Sequence, residues 1–223
     1  MAMETVLSQL TSQCRPAKIV AVSKLQSLEK IESLYQQGQR DFAENYVQEG
    51  IEKLDAFTTH QDIQWHFIGH LQRNKVRSII GKFTLIHSVD SWRLLETISR
   101  VAGELNCEQK ILIQINIAKE ESKGGFAVEE LQEQWAKIIE LPHIKIMGFM
   151  TMPPLCDNPE ENRPHFKKLR ELSNQFRAQT NLNHHPLVEL SMGTSHDFKV
   201  AIEEGASLVR LGTILFGERT AKV

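Results

Sequence analysis

Eight times along this chain a short apolar, β-branched run is followed by a segment with apolar residues at helical spacing, the last run excepted. That alternation constrains the fold more than any other feature. The first unit is representative: Lys18 to Ser23 reads as a buried strand, Ser27 caps a helix to Gln37 with Leu28, Ile31 and Leu34 on one face, and Gly38 stops it. The unit recurs as strand 41–46 with a helix to about 57, strand 63–69 with a helix to 80, and strand 83–89 with helix 92–105. It continues as strand 110–117 with helix 128–140, strand 143–151 with a long helix to about 179, strand 187–191 with a helix to 204, and strand 207–211. A short amphipathic helix, 4–13, ended by Pro16, precedes them. Eight such runs in 223 residues predict an α/β fold of the closed (β/α)₈ TIM-barrel class, one domain spanning 1–223. A doubly wound open sheet is the alternative, and only closure separates the two. The chain has no GxGxxG or P-loop motif for a nucleotide-binding sheet, and no linker or low-complexity run to mark a second domain.

Charge and cysteine usage exclude several classes of partner. Lys and Arg number 26 against 28 Asp and Glu, a formal net charge of -2, which gives no basic field for nucleic acid. Cys14, Cys107 and Cys156 are odd in number and far apart, fitting neither a disulfide framework nor a metal pair. His66 and His70 are four apart but flank a strand end, so the helical geometry of a zinc site is missing. The first ten residues are not a secretory signal, and no apolar run reaches transmembrane length. A soluble cytoplasmic protein without metal or membrane contact is expected.

In a barrel, chemistry sits where strands end. Here those ends are Lys24, Asn45, Gly69 with His70, Ser88 with Asp90, Asn116, Met150 with Thr151, Ser191 to Ser195, and Arg210 to Thr213. A lysine closing a strand is by itself most often a solvated end charge. Asp90 or Ser91 reads as the cap of the next helix. Ser191-Met192-Gly193-Thr194-Ser195 reads as a small turn leading into a helix, whose free N–H groups and dipole would favour a phosphate dianion. An ordinary cap, Thr194 with Asp197 three residues on, is compatible with that. Across from it, Leu211-Gly212-Thr213 offers a glycine and another hydroxyl. Arg210 lies inside an apolar strand, where a guanidinium requires an acceptor: a carboxylate such as Glu189, or a ring nitrogen of a ligand. A lysine, a phosphate cradle and an arginine at one barrel mouth are the parts that hold pyridoxal 5'-phosphate.

Longer blocks carry a resemblance. A-V-S-K ending at Lys24, F-A-E-N-Y from Phe42, W-H-F-I-G-H-L-Q-R-N-K from Trp65 and N-I-A-K-E-E-S-K-G-G-F from Asn116 occur in order. M-G-F-M-T-M from Met147, S-M-G-T-S-H-D-F from Ser191 and V-R-L-G-T-I-L-F-G from Val209 complete the set. Across nearly its whole length the chain resembles the pyridoxal phosphate homeostasis protein family, whose fold is the alanine racemase N-terminal barrel. The resemblance implies that Lys24 forms the internal Schiff base and that Arg210 bonds the pyridine nitrogen. It also implies that Ser191, Gly193, Ser195, Gly212 and Thr213 surround the phosphate, while Asn45, His66 and Met150 line the ring pocket. Ala43 stands where the family usually has glycine, and His70 where many members have proline; neither removes an implied contact.

An arginine donating to the pyridine nitrogen weakens the ring as an electron sink. Racemases resembling this arrangement add a tyrosine from a C-terminal β-domain, for which a chain ending about ten residues after Thr213 leaves no room. Tyr46 is expected to pack, and Tyr35 to lie far from the mouth. The expected function is therefore intracellular vitamin B6 homeostasis: a monomeric, non-catalytic carrier that buffers pyridoxal phosphate and passes it to apo-enzymes. Lys24 would need a depressed pKa to attack the aldehyde as a neutral amine. The alternative is a racemase or decarboxylase of the same fold, with His66 or Tyr46 as acid/base group. A Schiff-base aldolase on a phosphorylated sugar explains the lysine and the cradle but none of the blocks. Arg163, His165, Lys167, Lys168 and Arg170 form a basic helix stretch able to dock an acidic partner, and His184-His185 reads as solvated.

Overall fold

The computed structural model describes residues 5–120 and 123–217. Glu4 of the expected first helix, residues 121–122 of the block from Asn116, and the chain after Gly217 lie outside the described residues. The described strands form a closed parallel barrel in chain order. They are β1 (Lys18–Val22), β2 (Asp41–Glu44), β3 (Gln64–Phe67), β4 (Leu85–Val89), β5 (Gln109–Gln114), β6 (Ile144–Met150), β7 (Glu189–Thr194) and β8 (Leu208–Leu211). β8 closes on β1 with Lys18 opposite Leu208 and Ala21 opposite Leu211, which selects the barrel over the open sheet.

Strand alternation sorts side chains into two cores. Val20, Ala43, Leu85, Leu112, Met150 and Leu208 meet inside the barrel. Their neighbours Ile19, Ala21, Phe42, Ile86, Ile113 and Val209 belong to a larger cluster with the surrounding helices. Those helices are α1 (Val6–Cys14), α2 (Leu28–Gln36), α3 (Val47–Ala56), α4 (Val76–Ile79), α5 (Trp92–Glu104), α6 (Val128–Ile138), α7 (Arg163–Arg177), α8 (Phe198–Glu203) and α9 (Thr213–Phe216). The outer cluster packs Trp135 against Phe176 at 4.4 Å between ring centroids, the rings tilted by 43°. Burying each such aromatic or aliphatic side chain stabilises by about 1.5–3 kcal/mol, so most of the stability lies in this layer and not at the mouth. Thr5 caps α1 by accepting the Ser8 N–H at 3.2 Å. Gly38, at φ 101, ends the turn after α2.

The structure corrects several expectations. The helix expected to reach Ile80 is a 3₁₀ turn, Arg73–Lys75, and the four-residue α4. Residues 68–72 form a loop instead, in which Gly69 lies against Asn45; an added Cβ would stand 1.9 Å from the Asn45 carbonyl oxygen. β7 continues through Gly193 to Thr194, so the expected turn at 191–195 is strand for most of its length. The absorbed irregularity is a register shift between Ser191 and Thr194 against β8, with Gly193 at φ 88. His185 is buried, not solvated: its Nδ1 accepts the Ile146 N–H at 3.2 Å and its Nε2 meets the Ile139 carbonyl at 3.0 Å. Burial lowers its pKa. Part of the basic stretch on α7 is already engaged within the chain, Arg163 with Glu160, Glu203 and Glu204, and Arg170 with Glu204. Among the described residues no helix is long and apolar enough to cross a membrane.

Candidate cofactor site at the barrel mouth

Lys24 lies two residues past the end of β1 and is half-buried. The backbone on either side of it is clamped. Lys53, only 4% exposed, reaches from α3 to the Ser23 carbonyl at 2.6 Å, and the Leu25 N–H donates to Glu49 Oε1 at 2.6 Å. Lys53 is neutralised by Glu49 at 2.7 Å and by the fully buried Glu44 at 2.8 Å, and Glu44 also accepts the Ser23 hydroxyl at 2.6 Å. Leu25 is held at φ 60, a conformation disfavoured for leucine, and these contacts offset its cost. Burial raises the Glu44 pKa against the opposing pull of Lys53. None of this clamp is visible in the sequence, because Glu49 and Lys53 read as an exposed i,i+4 pair on an amphipathic helix.

The inward positions of the other strands carry polar groups. Arg210, 5% exposed, donates from Nη1 to Ser191 Oγ at 2.7 Å and from Nη2 to the Thr151 carbonyl at 3.0 Å. It forms no ion pair among the described residues; Glu189, the expected partner, accepts the Ser207 hydroxyl instead. Burial pushes Arg210 down to about 10, with Asp197 acting the other way, so it is a cation at neutral pH. Ser191 Oγ also meets His87 Nδ1 at 2.9 Å, which places Ser191 between that ring and the guanidinium. His66, on β3, is hydrogen-bonded to His87 at 2.8 Å and to Asp41 at 3.1 Å. His87 was missed. Its signal was available, since a histidine in a strand buried on both faces calls for partners as Arg210 does. Burial, together with His66 and Arg210 beside it, pushes the His87 pKa well down, so its ring is neutral. Met150 packs in the inner apolar cluster, and Asn45 Oδ1 is buried without a hydrogen-bond partner among the described residues.

The two last loops meet where Gly212 N–H donates to Ser195 Oγ at 3.3 Å. Thr213 is exposed beside them. Gly193 is required at its place, since a Cβ there would stand 2.6 Å from Ala201 Cβ. The expected helix-dipole contribution is corrected: α8 is six residues long and starts only at Phe198. Asp197, moreover, takes the Thr194 N–H at 2.7 Å and its hydroxyl at 3.0 Å, the cap running from Asp197 back to Thr194. Ser195, Gly212 and Thr213 are the polar groups brought together where the two loops meet.

The pattern has relatives. The family model described as alanine racemase, N-terminal domain, matches residues 2–220. A pyridoxal phosphate homeostasis protein of Aquifex aeolicus is 47% identical over 203 residues, covering 91% of this chain and 87% of the relative. The protein of that name from Synechocystis sp. is 41% identical over 216 residues, covering 96% and 98%. The solved structure of PipY from Synechococcus elongatus with PLP bound superposes with a TM-score of 0.89 at 37% identity, covering 95% of this chain and 98% of PipY.

Proposed function

This chain belongs to the pyridoxal phosphate homeostasis protein family, on the fold of the alanine racemase N-terminal domain, and from that premise we propose that it holds pyridoxal 5'-phosphate reversibly through Lys24 as an intracellular reservoir. The observation that carries the reading is Arg210. A buried cation without a carboxylate partner among the described residues is costly unless a ligand acceptor meets it, and an unprotonated ring nitrogen is such an acceptor. The buried Asn45 Oδ1 is a second unanswered group at the same mouth. The residues present therefore fit the cofactor. Lys24 would carry it covalently, Arg210 would donate to the ring nitrogen, and Asn45 and Met150 would line the ring. Ser195, Gly212 and Thr213 would bind the phosphate, with Gly193 keeping their loops close. When bound, the cofactor supplies an aldehyde carbon that amines can add to and exchange on.

Carriage without turnover is supported by what the other side chains are doing. A racemase needs a proton donor and acceptor facing the lysine. Tyr46 is 53% exposed instead of packed, the Tyr35 hydroxyl bonds Asp62 at 2.7 Å, and His66 is held by Asp41 and His87. A hydrogen bond donated by Arg210 would also keep the ring nitrogen unprotonated, which would limit carbanion chemistry. In this reading the protein works as a cytoplasmic monomer. The exposed Leu25, Tyr46, Met152 and Leu155, all just beyond strand ends, give an apo-enzyme receiving the cofactor a surface to meet. The test is transfer and turnover measured together. Protein loaded with pyridoxal phosphate should activate a cofactor-free transaminase, and chiral analysis of alanine incubated with it should match free cofactor. Racemisation far above that level would favour the enzyme reading.

A further inference from the structure

Five inward side chains from five strands form one continuous line: Asp41 on β2, His66 on β3, His87 on β4, Ser191 on β7 and Arg210 on β8. β4 and β7 are not neighbours in the barrel, so the bond from His87 to Ser191 crosses its interior. The carboxylate end fixes its direction as long as both rings are neutral. A guanidinium only donates and a carboxylate only accepts. With neutral rings a single arrangement satisfies every link. Arg210 Nη1 donates to Ser191 Oγ, Ser191 Oγ–H to His87 Nδ1, His87 Nε2–H to His66 Nδ1, and His66 Nε2–H to Asp41 Oδ1, at 2.7, 2.9, 2.8 and 3.1 Å. Reversing the middle links would require His66 to be an imidazolium, since its Nε2 would still have to donate to Asp41. The far end lines a cavity of about 620 Å³ at the opposite mouth, together with Lys18, Gln39 and Arg40.

We propose that Asp41, His66 and His87 are positioning residues for Arg210, forming with Ser191 a one-way hydrogen-bond chain that fixes the guanidinium across the barrel and turns its remaining donors to the ligand. The orientation toward a ligand rests on the function proposed above; the chain and its polarity do not. Two of the five guanidinium N–H groups are spent on Ser191 and Thr151, in directions set from β7 and from the end of β6, so the plane of the group is determined before any ligand arrives. Because Ser191 donates its hydroxyl hydrogen to His87, its oxygen is available to receive Arg210 and it has no hydrogen to give a phosphate.

Nitrogen-15 NMR of the histidine rings in the cofactor-free protein at neutral pH tests the polarity directly. Neutral Nε2–H rings at both His66 and His87 are expected. An Nδ1–H ring at His87 or a charged ring at His66 would overturn the chain. Positioning is tested by pyridoxal phosphate titration of two half-variants. His87→Asn keeps an acceptor where Nδ1 stood, for Ser191, whereas His87→Gln keeps only a donor where Nε2 stood. His87→Gln should weaken binding about tenfold and shift the absorbance of the bound cofactor, with His87→Asn closer to wild type on both. Equal losses in the two would reduce His87 to a packing role and refute the proposal. If the wild-type protein took up no cofactor, the proposed function would fall while the ring tautomers still decided the chain.

Discussion

Lys53→Met removes the cation behind Lys24 and leaves the Glu44 carboxylate, fully buried, with one hydrogen bond from Ser23. Breaking a buried pair from one side costs about 3–5 kcal/mol, because the remaining charge has no compensation. For a domain of this size that corresponds to a fall in melting temperature of about 6–20 °C by calorimetry. The penalty depends on pH with a definite sign. Burial already raises the Glu44 pKa, and losing Lys53 removes the main opposing pull. The folded variant therefore holds that proton more tightly than the unfolded chain. Stability from this source is present below the unfolded pKa and is lost as pH rises, so the gap to wild type should narrow toward about pH 4 and widen toward 7. Glu44→Leu added to Lys53→Met removes both charges and should recover much of the loss at pH 7. Cofactor affinity should not recover with it, since the Ser23 carbonyl beside Lys24 stays unheld. A gap that is constant with pH, or a double variant less stable than the single one, would refute the electrostatic account of the clamp.

Gly69→Ala must displace the Asn45 backbone, since its Cβ would lie 1.9 Å from the carbonyl oxygen; urea unfolding should show a loss of about 1–3 kcal/mol or more, and cofactor titration a weaker site. Arg210→Met removes a cation that no carboxylate among the described residues compensates, so the cofactor-free protein should melt within a few degrees of wild type while losing most of its affinity for pyridoxal phosphate. His185→Gln should flatten the acid side of the stability profile. The folded pKa of His185 is depressed, so the unfolded chain binds the extra proton first and wild-type stability falls as pH drops below about 6.5, an effect that chemical denaturation at pH 5 and 7 would read.

The barrel was legible because its strands are short β-branched runs between amphipathic helices, a pattern that burial on both faces produces. Which face each strand turns inward took the register: Ala43 pairs with His66, and Leu208 with Ser191, which puts His66, Ser191 and Arg210 on the inner face with Val20, Ala43 and Leu208. What escaped has a physical cause in each case. The extent of β7 was hidden by Gly193, which looks like a turn residue but sits in a bulge inside the strand. Lys53 and Glu49 have the spacing of a solvated pair, and only the tertiary approach of α3 to the β1 end turns them into a clamp. His185 follows an Asn-rich stretch and precedes a proline, yet it joins the start of β6 to the end of α6. His87 lies within β4 and not at its end, where the loops of a barrel place their polar groups, so its position in the sequence does not mark it.

The central claim, that Lys24 carries the cofactor, is tested most directly by borohydride reduction of the protein mixed with pyridoxal phosphate, followed by peptide mass spectrometry. The account predicts a pyridoxyl phosphate adduct on Lys24 at high occupancy, absent from a Lys24→Ala protein. An adduct on Lys53, an even scatter over surface lysines, or no adduct at all would contradict it.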